Sequence, residues 1–454
     1  MPEPRSGSLT LAELRIQVDS GAVDTVLVAL TDMQGRLQGK RLHAAYFLDV
    51  VVEHATEACN YLLAVDVDMN TVEGYAMSSW SSGYGDFVLR PDLSTLKPIP
   101  WQEGTVLVLA DLEWENGSEV VASPRQVLAH QTARLAAAGM TAFVGTELEF
   151  LLFRDTYEQA WSAGYRTLTP ANQYNVDYSM LGTARVEPLL RRIRNAMAGA
   201  GLTVESAKGE CNLGQHEIAF RYDEAIAACD GHVVYKNGAK EIAAQEGMAL
   251  TFMAKFDERE GNSCHIHCSF RGTDGSLVMA EGEGMSDVGK AFVAGQLKYV
   301  RELTLLLAPN INSYKRYVEG SFAPTALRWG RDNRTCAFRL VGHGPSLRLE
   351  NRIPGGDVNP YLATAATIAA GLAGIEEGLE LEPAHEGNAY GDTQAVRVPT
   401  SLGEARELWH DSAFARATFG DDVVNHYANM ATVELAAYGR AVTDWERYRG
   451  FERL

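Results

Sequence analysis

Residues 261–270, GNSCHIHCSF, set two histidines and two cysteines into five positions. In an extended chain successive side chains point to opposite faces. His265 and His267 therefore share one face, and Cys264, Ile266 and Cys268 share the other. A tetrahedral zinc cage cannot close on such a strand, because its four candidate ligands face apart. The cysteines read as apolar packing, and the histidines need partners from elsewhere. GTELEF (145–150) places Glu147 and Glu149 on one strand face, with Leu148 opposite. KGECNLGQHEI (208–218) carries Glu210 and Glu217, which share a side if the turn-forming NLG reverses the chain. SLRLENRIP (346–354) alternates Arg348, Glu350 and Arg352 with Leu347, Leu349 and Asn351. One such strand is commonplace, with a solvated face as its plainest explanation. Four that converge would make a site.

Five glutamates and a histidine brought together repel. Two carboxylates ~4 Å apart cost on the order of 4 kcal/mol at an effective dielectric near 20. Divalent cations relieve that cost, and an oxygen-rich set with few imidazoles suits Mg²⁺ or Mn²⁺ better than Zn²⁺. Six ligands can hold two ions at three each. Two hard cations flanked by arginines form an anion clamp of the kind phosphoryl transfer needs. Arginines are at hand in NSYKRYVEG (Arg316), NRTCAFRL (Arg334 and Arg339) and the Arg348–Arg352 strand.

The elements that must position these residues follow from the pattern. SLTLAELRIQV from Ser8 reads as a capped helix and VDTVLVALTD as a strand, followed by the turn-rich DMQGRLQGKRL. The G-x-x-x-G-K inside that turn is one residue short of a phosphate loop, and no Ser or Thr follows the lysine. TVLVLADLEW (105–114) is a second strand. Helices are predicted at PRQVLAHQTARLAAAG, VEPLLRRIRNAMAGAG, GHVVYKNGAKEIAAQEG, GKAFVAGQLKYVRELTLLLAP and NPYLATAATIAAGLAGIEEGL, interleaved with the acid-bearing strands. The last hundred residues are mostly helical. The fold class is α+β, with an antiparallel-rich sheet as the floor of the site. The chain divides near ENGSEVVASP into residues 1–112 and 113–454.

The chain of 454 residues is 46% hydrophobic and 22% charged, an ordinary balance for a large globular core. A net charge of −19 argues against a nucleic-acid partner. Six scattered cysteines without C-x-x-C point to a reducing compartment. MPEPRSGSLTLAELR has no apolar signal core, and no run reaches ~18 apolar residues, so the expectation is a cytoplasmic protein with no membrane partner.

In this order, GTELEF, GECNLGQHEI, TFMAKF, GNSCHIHCS, NSYKRYV, NRTCAFRL, LRLENRIPGGDVNPYLA and GLAGIEEGL resemble the glutamine synthetase family over nearly the whole chain. The resemblance implies an N-terminal β-grasp domain and a glutamine synthetase-type catalytic domain, assembled as a homo-dodecamer of two stacked hexamers with active sites at subunit interfaces. It implies one metal on Glu149, Glu210 and Glu217, and a second on Glu147, His265 and Glu350. ATP would lie near Glu205, His267, Ser269 and Arg348, with Arg334 and Arg339 on its phosphates. Glutamate would be held by Gly261, Arg316, Arg334 and Arg352, and Asp86 matches a family acid near the reacting centre. The implied reaction is ATP-dependent ligation of glutamate to an amine through γ-glutamyl phosphate, with two or more Mg²⁺ (or Mn²⁺).

The chain departs from the family at its ammonium pocket. The usual acids fall at Ala76, in YAMSSWSSGYGDF, and at Phe322, in EGSFAPT. Replacing acid by Phe removes a charge and adds apolar bulk. The pocket then resembles that of the γ-glutamyl-amine ligases, and its loss of acids favours a short primary monoamine such as an amino alcohol over a polyamine. The alternatives are a true glutamine synthetase using ammonium, a γ-glutamyl-polyamine synthetase, a two-metal hydrolase, and a catalytically silent structural or sensing relative. Tyr390, in GNAYGD, sits near where some family members are nucleotidylated, but its flanking residues differ and no regulation is read from it.

Overall fold

The computed structural model describes residues 8–454. Residues 1–7, over which the absence of a signal core was partly read, lie outside the described residues. The first helix, Leu11–Asp19, starts at a capping box between Thr10 and Glu13. It leads into a six-stranded sheet of β1 (Thr25–Thr31), β2 (Leu37–His43), β3 (Thr56–Cys59), β4 (Asp86–Pro91), β5 (Lys97–Pro98) and β6 (Thr105–Glu113). The order is β2-β1-β6-β4-β3, with β5 also on β6; β1 runs parallel to β6 and the other pairs are antiparallel. The turn-rich reading of 32–42 holds only for its first half. Asp32 to Arg36 form the turn, and LQGKRLH pairs with β1 as an edge strand. Its charged, largely exposed residues carry no hydrophobic alternation, as edge strands are prone to do.

A second, nine-stranded sheet holds β7 (Met140–Phe153), β8 (Val204–Gly209), β9 (Gln215–Phe220), β10 (Asp223–Glu224), β11 (Ala249–Thr251), β12 (Cys264–Gly272), β15 (Trp329–Arg331), β16 (Phe338–Val341) and β17 (Arg348–Asn351), while β13 (Ala280–Glu281) and β14 (Gly284–Met285) form a separate small hairpin. The order is β15-β16-β17-β12-β7-β9-β8, with β10 and β11 also on β7, and only β15–β16 is parallel. Cys264, Ile266 and Cys268 are buried on the face of β12 turned away from the histidines. Helices Pro124–Ala137 and Ala225–Gln245 pack on β7, and Pro360–Glu376 packs on both of them and on Asp287–Leu307. The last two pack backbone to backbone: a Cβ on Gly295 would stand 2.8 Å from the Gly374 Cα. Almost all of Pro360–Glu376 is buried, which accounts for its apolar sequence.

The two sheets are tied by a buried charge. Arg125 pairs with Asp92 (2.6 Å) and Asp111 (2.5 Å) of the first unit and with Asp230 (3.0 Å) of helix Ala225–Gln245. Tyr361 donates to the same Asp230 at 2.7 Å. Among the described residues no helix is long and apolar enough to cross a membrane.

Candidate active site

The register of the nine-stranded sheet brings the charged strand faces into one diagonal band. Residues directly opposite in an antiparallel pair point the same way. Arg339 of β16 faces Glu350 of β17, which faces His267 of β12. One step along, His265 faces Glu147 of β7. Two residues further, Glu149 faces Glu217 of β9, which faces Lys208 of β8. The turn at 211–214 reverses the chain as NLG predicted, so Glu210 returns beside Glu217. Glu205 is the extra residue of a β-bulge between Val204 and Ser206.

All of these side chains except His267 line a cleft of about 490 Å³ together with Asp177, Tyr178, Glu260, Gly261, Arg316, Phe322, Arg334 and Arg352. Among the described residues, three groups of possible ligands stand at it, one of them Asp177, Glu210 and Cys211. Glu149, Glu210 and Glu217 offer carboxylate oxygens within 4.8 Å of one another. Glu147, His267 and Glu350 form a second such set, while His265 Nδ1 lies 3.3 Å from Glu147 and 3.2 Å from Glu350. Hydrogen bonding separates the two imidazoles. Arg348 Nε donates to His267 Nδ1 at 3.2 Å, which leaves the His267 proton on Nε2 to donate to Glu147 at 2.9 Å. Both His267 nitrogens are therefore engaged, and a metal needs an open lone pair. His265 is the better ligand.

The electrostatics divide the same way. Burial pushes the Glu210 carboxyl up to about 8, helped by the charge of Glu149 and opposed by Lys208. Burial, then Glu147, Glu149 and Glu210, push Glu217 well above the usual range. Burial would also raise Glu147, but hydrogen bonds from His265 and His267 outweigh it and hold the group well down. Glu350 is held low against its burial by His265 and Arg352. The Glu149 set thus carries more negative charge than its protein neighbours neutralise, and three buried carboxylates so placed fit a hard divalent cation.

The arginines line the other wall. Glu350 accepts from Arg352 at 2.5 Å and from Arg339 at 3.0 Å. Arg352 also donates to the Phe322 carbonyl at 3.2 Å. Arg316 is turned to the backbone carbonyls of Arg352, Ile353 and Pro354, and its buried Nε, like that of Arg352, has no partner in the protein. Two buried donors left open beside a cleft fit an anionic ligand. Arg334 stands exposed at the cleft. Gly261 accepts from Gln215 through its carbonyl, and a Cβ there would lie 2.1 Å from the Ala254 oxygen. Phe322 is about half exposed, with φ +60°, a strained conformation for a bulky residue.

Three residues expected at the site stand elsewhere along the chain. Ser269 lies further along the His265–His267 face of β12, opposite Phe143. Asp86 opens β4 and Ala76 precedes it; both are exposed, and neither lines this chain's own cleft. Tyr390 is buried and donates to the Ala323 carbonyl. Conversely, sequence reasoning missed Lys208 and Gln215. Each lies two residues before an identified glutamate, a spacing that on a strand means the same face. Asp177 and Tyr178 come from a loop with no periodicity and left no signal.

Residues 121–449 match the model for the glutamine synthetase catalytic domain. The chain is 67% identical to gamma-glutamylethanolamide synthetase GlnA4 of Streptomyces coelicolor over 99% of its own length and 97% of the relative's. It is 37% identical to the glutamate–isopropylamine ligase of a Pseudomonas species, covering 97% of each. Among solved structures it superposes on a GmaS/ADP complex with a TM-score of 0.84 at 25% identity, over 97% of this chain and 99% of that one.

Proposed function

Because the chain belongs to the glutamine synthetase family, we propose that it is an ATP-dependent glutamate–amine ligase acting on a short primary monoamine, with ethanolamine the leading substrate. The observation that carries this reading is the cleft itself. Two carboxylate sets stand beside a wall of arginines, and Phe322, the position at which the family resemblance puts an ammonium-binding acid, lines the same cleft. The 67% identity to an ethanolamide synthetase supports the choice of amine.

Glu149, Glu210 and Glu217 would hold one divalent cation, and Glu147, Glu350 and His265 a second. When bound, such ions neutralise phosphate charge and orient the transferring group. Arg334 and Arg339 meet the ATP phosphates. Arg352 and the open Nε of Arg316 grip glutamate, with Gly261 leaving room for its backbone approach. Past His267 and Ser269 the same face of β12 carries Arg271, 5.3 Å from the centroid of Phe143. Phe143 meets Tyr222 edge to face at 6.1 Å, and this aromatic floor suits a purine base. Phosphoryl transfer turns the γ-carboxylate, a poor electrophile, into an acyl phosphate with a good leaving group. The amine then attacks, phosphate departs, and the ammonium proton passes to a base. Asp177 and Glu260 are carboxylates of the cleft outside the two sets assigned to the cations here.

Asp86 and Ala76 reach a cleft only if a neighbouring copy brings its first sheet to it, which supports assembly into rings. Exposed Trp161, Met180, Leu181, Trp445 and Phe451 support the same reading. The two sheets part near residues 112–113, which supports the division into units 1–112 and 113–454. The six free cysteines support a reducing, cytoplasmic setting.

The test is phosphate release by the purified protein with ATP, Mg²⁺ and glutamate, comparing ethanolamine with ammonium. Faster release with ethanolamine, and a product of γ-glutamylethanolamide mass, is the expected result. Equal or greater turnover with ammonium removes the amine-ligase reading.

A further inference from the structure

We propose that Lys208 is a specificity residue that admits amines with a neutral polar far end and rejects those with a second positive charge. The inference rests on the amine-ligase reading above. Its basis is the distribution of charge across the cleft. Arg316, Arg334, Arg339 and Arg352 all belong to the wall formed by residues 316–352. That wall serves anions. β8 lies at the far end of the sheet from β16 and β17, and Asp177, a cleft carboxylate outside the two sets assigned to metals here, stands 3.9 Å from its Lys208, so an incoming ammonium is drawn there. Lys208 stands on that carboxylate side. Among the described residues it is the one lysine lining the cleft.

Its position is well held. The Lys208 ammonium is ion-paired to Glu210, lies 3.9 Å from Asp177, and sits 4.7 Å from the centroid of the Tyr178 ring. The side chain keeps a quarter of its surface exposed, so its charge faces the cleft rather than being sealed beneath it. An ammonium has three donors and no acceptor. Lys208 can therefore donate to the hydroxyl oxygen of an amino alcohol, whereas the distal ammonium of a diamine meets a like charge. Two unit charges ~8 Å apart at an effective dielectric near 20 disfavour the diamine by about 30-fold. Sequence reasoning attributed discrimination against polyamines only to absent acids; the structure adds a present cation.

The experiment compares matched pairs, 3-amino-1-propanol with 1,3-diaminopropane and 4-amino-1-butanol with 1,4-diaminobutane, in the full-length protein with ATP, Mg²⁺ and glutamate. Product mass gives kcat/KM for each amine. Wild type should favour the amino alcohols. Lys208→Met should raise the diamine-to-amino-alcohol ratio about 30-fold, and Lys208→Arg should restore the wild-type ratio. A structural counter-ion to Glu210 would instead lower all amines together and leave the ratio alone. A ratio within twofold of wild type in Lys208→Met overturns the proposal. Should that variant lose turnover, diamine binding to the ADP- and glutamate-loaded proteins is read by calorimetry, and equal affinity in wild type and variant overturns it equally. A wild type that ligates neither these four amines nor ethanolamine overturns the ligase reading beneath it, whereas one that ligates ethanolamine but none of the four overturns only the proposal for Lys208.

Discussion

Glu350→Gln tests the centre of the site with a change of one atom. The Glu350 carboxylate is fully buried and accepts from Arg352 at 2.5 Å and Arg339 at 3.0 Å, with His265 Nδ1 at 3.2 Å. At ~4 Å between charge centres and an effective dielectric near 20, each guanidinium contributes about 4 kcal/mol of attraction, much of it offset by desolvation. Removing one member of a buried ion pair costs about 3–5 kcal/mol, because the partner charge stays behind. Gln keeps the shape and one acceptor, so the lower end, about 3 kcal/mol, is the expected loss. A domain of 150–250 residues loses about 2–4 °C per kcal/mol, and a catalytic unit of this larger size about half that, so the melting temperature should fall by about 5 °C. Calorimetric melts of the EDTA-treated protein measure this. Titration with Mn²⁺ supplies an independent readout, since the variant should lose binding at the Glu147 set and keep it at the Glu149 set. An unchanged melting temperature together with unchanged Mn²⁺ stoichiometry refutes both the ion-pair and the metal assignment.

Phe322→Glu should return the pocket toward ammonium, raising kcat/KM for NH₄⁺ about tenfold after discounting for its partial exposure and lowering that for ethanolamine; competition between the two amines, read by product mass, checks it, and an unmoved product ratio sinks the pocket assignment. His426 packs against Tyr75 at 4.7 Å between ring centroids and against Met33, and burial lowers it to about 4. A depressed histidine stabilises the fold fully above its unfolded pKa of ~6.5, and that contribution, about 3 kcal/mol, is lost as pH falls toward 4. His426→Phe should flatten the melting temperature between pH 6.5 and 4, and an equally steep acid decline in the variant contradicts the assignment.

Several parts of this protein were legible before any coordinates. Strand alternation placed His265 and His267 on one face and the cysteines on the other, because a period of two depends on nothing beyond the local backbone. Long helices such as Asp287–Leu307 and Pro360–Glu376 announced themselves through apolar content and length. Residue type pointed to hard cations and phosphate. The edge strand β2 escaped notice because an exposed, charged strand has no buried face to impose a pattern. Lys208 escaped notice although it stands two residues from Glu210, since a lysine before a glycine reads first as a surface residue.

What only the tertiary structure decided was the register. Sequence alone established that each of four strands had a charged face. It did not establish that Arg339, Glu350 and His267 line up across three strands while Glu149, Glu217 and Lys208 line up across three others. Nor could it say which imidazole is open to a metal, a choice made by the Arg348 hydrogen bond from a strand some eighty positions away. Side-chain direction is a local property of the backbone, whereas the partner across a sheet is chosen by packing over the entire domain, and the chemistry of this cleft depends on the partners.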